Sequence, residues 1–310
     1  MSTDEIAFIE EIRQAPDDIT PRLIYADFLE DDGNPRGEFI RVQCELSQTS
    51  AGDSSRPALF DRERELLQEF GERWLAPVRA LGVENVSHAS FRCGLLERVR
   101  ISADKFLQHN VELFRLLPAL TCLDLRQPQA VGRQLADCDM PPQVTALDLS
   151  ANHLEPSHLQ TLNSAGWAAG IQSLSLQMNQ LNDDVFAVLG DGNWQALRQL
   201  KVGMNRMGPA GIRSLSELPS LPILEELDLR MNPISNQGLG RLAGTAMPEL
   251  QTLNLVRCEI QTIRALIDRD RWPRLMNFCL RNNRISTAEL DEFHRSPVGQ
   301  RLTEFDIRNN

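Results

Sequence analysis

One pattern, leucines at fixed intervals around an asparagine, recurs along the C-terminal two thirds of the chain and limits its fold more than any other feature. The template L-x-x-L-x-L-x-x-N-x-L fits Val144, Leu147, Leu149, Asn152 and Leu154. It fits again over residues 171–181, 197–207, 224–234 and 275–285, and over 250–260 with Cys258 at the Asn site. Two looser copies precede these. One is Leu96, Val99 and Ile101 with Asp104 at the Asn site, the other Leu120, Leu123 and Leu125 with Pro128 there. A half-repeat, Leu302, Phe305 and Ile307, runs to Asn310. The second apolar position falls at residues 99, 123, 147, 174, 200, 227, 253, 278 and 305, in steps of 24 to 27. Nine evenly spaced matches to a five-position template mark a repeat architecture.

The template carries its own physics. Its x-L-x-L-x segment alternates, so it predicts a short strand with one buried face. The Asn amide both donates and accepts, and in stacked repeats it satisfies backbone groups where the chain leaves the strand. Cys258 is small enough to fill that site, whereas Pro128 is not suited to it, so an irregular turn is expected after the second repeat. Helical patterns follow the Asn, among them AGIRSLSEL, QGLGRLAG, TIRALIDR and AELDEFHR. Ser286-Thr287 with Glu289 reads as a cap for the last of these. A single strand-helix unit cannot bury its apolar face, so the units are expected to stack into an α/β solenoid, a horseshoe with parallel strands on the concave side and helices on the convex side.

These residues resemble the leucine-rich-repeat superfamily, nearest its ribonuclease-inhibitor-like class. The steps are a little shorter than that class usually shows, which bears on the regularity of the helices. The resemblance implies a protein partner held on the concave surface.

Residues 1–86 read differently from 87–310. Ile6, Phe8, Ile9 and Ile12 suggest one amphipathic helix. Thr20 as cap, with Pro21 in the first helical position, starts a second carrying Leu23, Ile24, Phe28 and Leu29. Asp31 to Pro35 is a turn, and Arg36 to Leu46 a third helix in which Arg36, Glu38 and Arg41 are expected to pair across turns. The stretch TPRLIYADFLEDDGNPRGEFIRVQCEL resembles the repeat-companion domain, a short N-terminal module of bacterial repeat proteins. That resemblance implies no catalytic residues. A further helix holds Leu59, Phe60, Leu66, Leu67 and Phe70, and Trp74, Leu75 and Val78 are expected against the first repeat. The apolar end of a repeat array needs a cover, and this helical region is the expected cap.

Charge and motifs narrow the function. The net charge is −11, and twelve acids against four arginines in residues 1–50 account for −8 of it. An acidic chain without a basic tail argues against general binding to nucleic acid or anionic membrane. The N-terminus lacks a basic start and a continuous apolar run, so a secretory signal is not expected. Cys44, Cys93, Cys122, Cys138, Cys258 and Cys279 are scattered without a C-x-x-C pair, which fits reduced thiols in a cytoplasmic protein.

No cofactor or metal is expected. The acidic cluster of Asp27 and residues 30–32 lacks the alternating oxygens and glycine of a calcium loop, and reads as solvated surface. His88, His109, His153, His158 and His294 show no metal spacing, although His153 and His158 lie close enough to approach across a turn. Tyr25 reads as a core residue. Cys122 and Cys279 fall at outward strand positions with no histidine placed to activate them. No phosphate loop or G-x-S-x-G elbow is present, so an enzyme is not expected.

The concave face is the informative surface. Met178, Met204 and Met231 precede the Asn in three consecutive repeats and are expected to form an apolar row. Arg230, Arg257, Arg281 and Arg308 are expected to edge it, unless Arg230 and Arg308 turn instead to Asp228 and Asp306. The expected function is a non-enzymatic scaffold for a protein partner, with regulation of a partner enzyme as the alternative. The strand at Leu302, Phe305 and Ile307 presents an edge, where pairing with a second copy in a homodimer, or continuation of a longer chain, is a further expectation.

Overall fold

The protein is described here by a computed structural model covering residues 3–50, 52–87, 90–267 and 270–310, so His88 lies outside the described residues. The chain divides into two compact units, residues 1–126 and 127–310.

The first unit opens with four helices: α1 (Thr3–Gln14), α2 (Thr20–Asp31), α3 (Pro35–Gln48) and α4 (Arg56–Ala80). Apolar residues at helical spacing turn inward, with Ile9, Ile12, Tyr25, Ala26, Leu29, Ile40 and Cys44 in one cluster. Tyr25 is buried beside Phe8 and Phe28. Thr20 is the first helical residue rather than the cap, and its N–H donates to Asp18 Oδ1 at 2.8 Å. Asn34 does cap α3, accepting from Arg36 N.

The pairs expected along α3 form between helices instead, because α2 and α4 flank it with acids and a cation of their own. Arg41 reaches Asp27 and Glu30 on α2, and Glu38 takes Arg62 of α4 in a two-pronged contact. Arg36 turns away from solvent. Its guanidinium lies over Trp74 and Phe91, donates to the Gly94 carbonyl, and has its pKa pushed down to about 10 by burial.

Strand β1 (Val83–Glu84) then pairs antiparallel with β2 (Arg98–Ser102), and α5 (Ala103–Leu116) leads to β3 (Cys122–Arg126). β2 and β3 are parallel with Val99 opposite Leu123, the first two register positions of the repeat. Leu75 and Val78 of α4 are buried, while Trp74 stacks on Phe70, lies tilted against Phe39 and meets Phe91 edge-on.

In the second unit the repeat runs through α6 (Gly132–Ala136), β4 (Ala146–Asp148), α7 (Pro156–Leu162), β5 (Ser173–Ser175) and α8 (Val185–Gly190). It continues with β6 (Gln199–Lys201), α9 (Pro209–Arg213), β7 (Glu226–Asp228), α10 (Ser235–Leu242) and β8 (Thr252–Asn254). Then come α11 (Arg264–Ile267), β9 (Asn277–Cys279), α12 (Thr287–Arg295), α13 (Pro297–Arg301) and β10 (Glu304–Asp306). All seven strands are parallel and neighbours follow chain order. Leu147, Leu174, Leu200, Leu227, Leu253, Phe278 and Phe305 stand opposite one another in succession, the same positions that mark the register in the sequence.

The asparagines form the second column of the core. Asn232 shows the repeating arrangement: its amide donates to the carbonyls of Val202 and Leu229 at 3.0 Å and accepts from Met207 N at 3.1 Å. Asn179, Asn205 and Asn283 repeat these bonds, and Asn310 donates to the Leu280 and Ile307 carbonyls. Cys258 takes the site in its repeat, fully buried, with Sγ 3.3 Å from the Leu229 carbonyl. The turn at Pro128 runs into a short 3₁₀ segment, Pro128–Val131, the irregularity that a residue lacking an amide side chain predicts.

The convex helices are short. α6 and α9 have five residues each, and α9 runs on into a 3₁₀ turn. Steps of 24 to 27 residues leave little chain between strands once the turns are counted. At α12, Ser286 caps through its hydroxyl as expected, but Glu289 does not complete the box. Its carboxylate accepts instead from Ile263 N and Thr262 Oγ1 of the preceding repeat.

Candidate protein-binding face

Three residues past each strand of the second unit, directly before the Asn or Cys258, the chain passes through the left-handed region. Ala151, Met178, Met204, Met231, Arg257, Asn282 and Asn309 all lie at φ between 54° and 61°. Their N–H groups extend the ladder past the strand ends: Met178 N donates to Gly203 O, Met204 N to Arg230 O and Met231 N to Val256 O. Such backbone is uncommon for a side chain other than Asn, Asp or Gly. Here it recurs in every repeat, whatever the residue, so it belongs to the repeat and marks no site by itself. Its consequence is positional, because it holds the residue at that step in one fixed column.

Met178, Met204 and Met231 are consecutive members of this column. With neighbouring strands about 4.8 Å apart, their side chains stand one strand spacing from each other. Met178 is 51% exposed and the other two are half-buried. Arg257 is the next residue in the same column, not part of a separate edge as the sequence suggests, and its side chain is exposed. The adjoining column runs Ser150, Gln177, Gly203, Arg230, Val256, Arg281 and Arg308. Three of the four arginines therefore share that column, interrupted by the buried Val256.

Local acids take up part of this charge. Arg230 lies 3.5 Å from Asp228 and also donates to Gln177 Oε1 at 2.7 Å, two repeats back. It crosses over Gly203, where an added Cβ would lie 2.8 Å from Arg230 Cγ, so the missing side chain opens the path. Gln177 in turn donates to Asp228. Arg308 forks onto Asp306, with Arg281 at 3.8 Å from the same carboxylate.

The two aspartates are displaced in opposite directions. Burial pushes the Asp228 carboxyl above the ordinary aspartate value, while the Arg308 hydrogen bonds hold Asp306 well below it. By linkage, the Asp306 contribution to stability is present above the unfolded-state value and fades as pH falls. The raised Asp228 has the opposite sign and opposes folding once pH rises past its unfolded-state value.

The remaining candidates resolve into structural roles. His153 contacts Gln180 rather than His158, and His158 accepts from Glu155 N in a capping interaction. Cys279 has its pKa raised by burial, the reverse of what activates a nucleophile. No group of three His, Cys, Asp or Glu residues among those described is placed to hold a metal. No helix among the described residues is long and apolar enough to cross a membrane.

A family model described as "Leucine Rich repeat" matches residues 220–243, one full step of the array. The second unit is a solenoid of parallel strand-and-helix repeats, one step of which matches that model. Among solved structures, internalin C2 of Listeria monocytogenes is similar at 22% identity and a TM-score of 0.43, over 68% of this chain and 80% of that one. An internalin F of the same organism is similar at 18% identity and a TM-score of 0.40, over 64% and 57%. Around the matched step, the methionine column and its arginines follow the strand ends, beside the Asn ladder.

Proposed function

We propose that this is a non-enzymatic protein-binding module, cytoplasmic, in which residues 1–86 are a repeat-companion module and cap and residues 87–310 carry repeats of the ribonuclease-inhibitor-like class. Its partner engages Met178, Met204 and Met231, with Arg257 continuing the column and Arg230, Arg281 and Arg308 beside it. The observation that carries this reading is the row of three methionines fixed by one backbone conformation on neighbouring strands. Methionine and arginine are both enriched at protein interfaces, and a flexible thioether adapts to an apolar ridge. Because Arg230 and Arg308 are already engaged by aspartates, the exposed Arg257 is the cation best suited to meet an acid on the partner.

The test is the triple change Met178→Ser, Met204→Ser and Met231→Ser, compared with the unchanged protein in partner capture. Truncating an anchor at a packed interface costs about 1 kcal/mol or more, so capture is expected to fall about ten-fold or more while circular dichroism stays the same. Unchanged capture would move the site to the acidic N-terminal module. Activity measured on a captured enzyme then separates a plain scaffold from a regulator.

A further inference from the structure

The first unit brings two distant cysteines together. Cys44 lies on α3, fully buried, and Cys93 packs against the same cluster from the turn at residues 92–95. Arg92 and Leu95 exchange backbone hydrogen bonds at 2.8 and 3.0 Å, and Cys93 and Gly94 between them have φ of 41° and 78°. Positive φ at both central residues is the type I′ hairpin turn, which favours Asn-Gly. A cysteine held there is strained, and such strain persists only where surrounding contacts impose it.

Those contacts come from one face of α3. Gly94 rests directly on Ile40, its N–H donates to Gln43 Oε1 at 2.6 Å, and its carbonyl accepts from Arg36. With Gly94 fixed over Ile40, Cys93 falls beside Cys44, one helical turn further on. Cys93 packs on the cluster that holds Cys44, and Ser47 joins the two: its Oγ donates to the Cys44 carbonyl at 2.6 Å and lies 4.0 Å from Cys93 Sγ.

The two thiols are not equivalent. Cys93 is partly exposed and lines a cavity of about 440 Å³ together with Arg22, Arg92, Gln43 and Phe91. Arg22 is 1% exposed, pairs with Glu97 at 2.5 Å, and has Nη1 buried without a hydrogen-bond partner. The neighbouring Cys44 thiol, with Ser47 and the two guanidinium groups, lowers the Cys93 pKa, while the same neighbour and then burial push the Cys44 thiol up. Asp17, Glu63 and Glu97 balance the arginines around the cavity, which suits a small uncharged reactant better than an anion.

We propose that Cys93 and Cys44 are a thiol pair oxidised to a disulfide by hydrogen peroxide entering this cavity, with Cys93 as the attacking residue and Cys44 as the resolving one. In the first step the Cys93 sulfur bonds to one peroxide oxygen. The O–O bond breaks, and the departing hydroxide takes a proton to become water, leaving a sulfenic acid. In the second, Cys44 sulfur attacks Cys93 sulfur and the S–O bond breaks. The leaving hydroxide takes the Cys44 proton as a second water. Two thiols give up two electrons in all, and the peroxide takes both. The new bond ties the hairpin to α3.

The test uses the full chain and hydrogen peroxide itself. After brief treatment, free thiols are alkylated under denaturing conditions and the cysteines mapped by mass spectrometry. The expected product is an intramolecular disulfide joining the peptides of Cys44 and Cys93, reversed by dithiothreitol. Cys44→Ser is expected to stop at a sulfenic acid on Cys93 that dimedone traps. Cys93→Ser is expected to slow thiol oxidation about ten-fold or more, the difference between a favoured thiolate and ordinary thiols. If a variant fails to fold, the peptide map of the unchanged protein decides. Both cysteines still free, Cys93 linked only between molecules, or Cys93 overoxidised without a disulfide would overturn the proposal.

Discussion

Replacing Asn232 by alanine is expected to destabilise the repeat unit by about 3 kcal/mol, because three buried backbone groups lose their partner at once. The Met207 N–H and the carbonyls of Val202 and Leu229 all bond this amide, and Asn232 is 1% exposed. Alanine supplies neither donor nor acceptor, and the space it leaves lies between two stacked repeats. In a linear array each repeat is held chiefly by its neighbours, so damage at a central position also weakens the link between the two sides. Urea unfolding followed by circular dichroism checks this, with Gln237→Ala on the exposed face of α10 as control. A midpoint for Asn232→Ala as high as that of the control would show that the Asn ladder is not what fixes the strand ends.

Gly94→Ala is expected to cost more than about 3 kcal/mol in the first unit. A Cβ at this residue would press on the Ile40 side chain and lie 2.7 Å from Ile40 Cα, an atom of the helix itself that cannot rotate away. The positive φ of 78° adds roughly 1 kcal/mol for any residue with a Cβ. Movement of the turn would break the bonds to Gln43 and Arg36, and with them the stacking of Arg36 on Trp74 and Phe91. Trp74 fluorescence and the melting temperature report both effects. An unchanged melt would mean that the turn is not clamped to α3.

The repeats were legible in the sequence because each rests on short-range chemistry. An alternating strand, an amide at a fixed offset and a step of constant length are visible without knowing the fold, and the register marks became the paired residues of the sheet. Even the exceptions followed from side-chain chemistry: Cys258 fills its site, and Pro128 brings a 3₁₀ turn. Helix length was less legible. AGIRSLSEL carries a helical pattern, yet α9 ends at Arg213 and a 3₁₀ turn takes over. Apolar spacing reports which face is buried, not how many residues remain helical between two turns.

At the candidate site, sequence offset located the methionine column but mixed two arginine columns. Arg257 precedes the Asn site directly, whereas Arg230, Arg281 and Arg308 stand one residue earlier. Aligning every arginine to the Asn site, rather than to the methionines, would have separated them. The reach of Arg230 across Gly203 to Gln177 had no local signal, since it depends on a missing side chain in the repeat between. The meeting of Cys44 and Cys93 is likewise a product of tertiary packing. Spacing made them look like unrelated thiols, and only the docking of the hairpin on α3 joins them.

The most direct measurement for the central claim is site-specific photo-crosslinking. A photoreactive side chain is placed at Met178, Met204 or Met231 in turn, and for comparison at Gln237 on the exposed side of α10. Each version is irradiated with its captured partner. Adducts from the three methionine positions, and none from Gln237, are the predicted result. Adducts from Gln237 with none from the methionine column would contradict binding on this face.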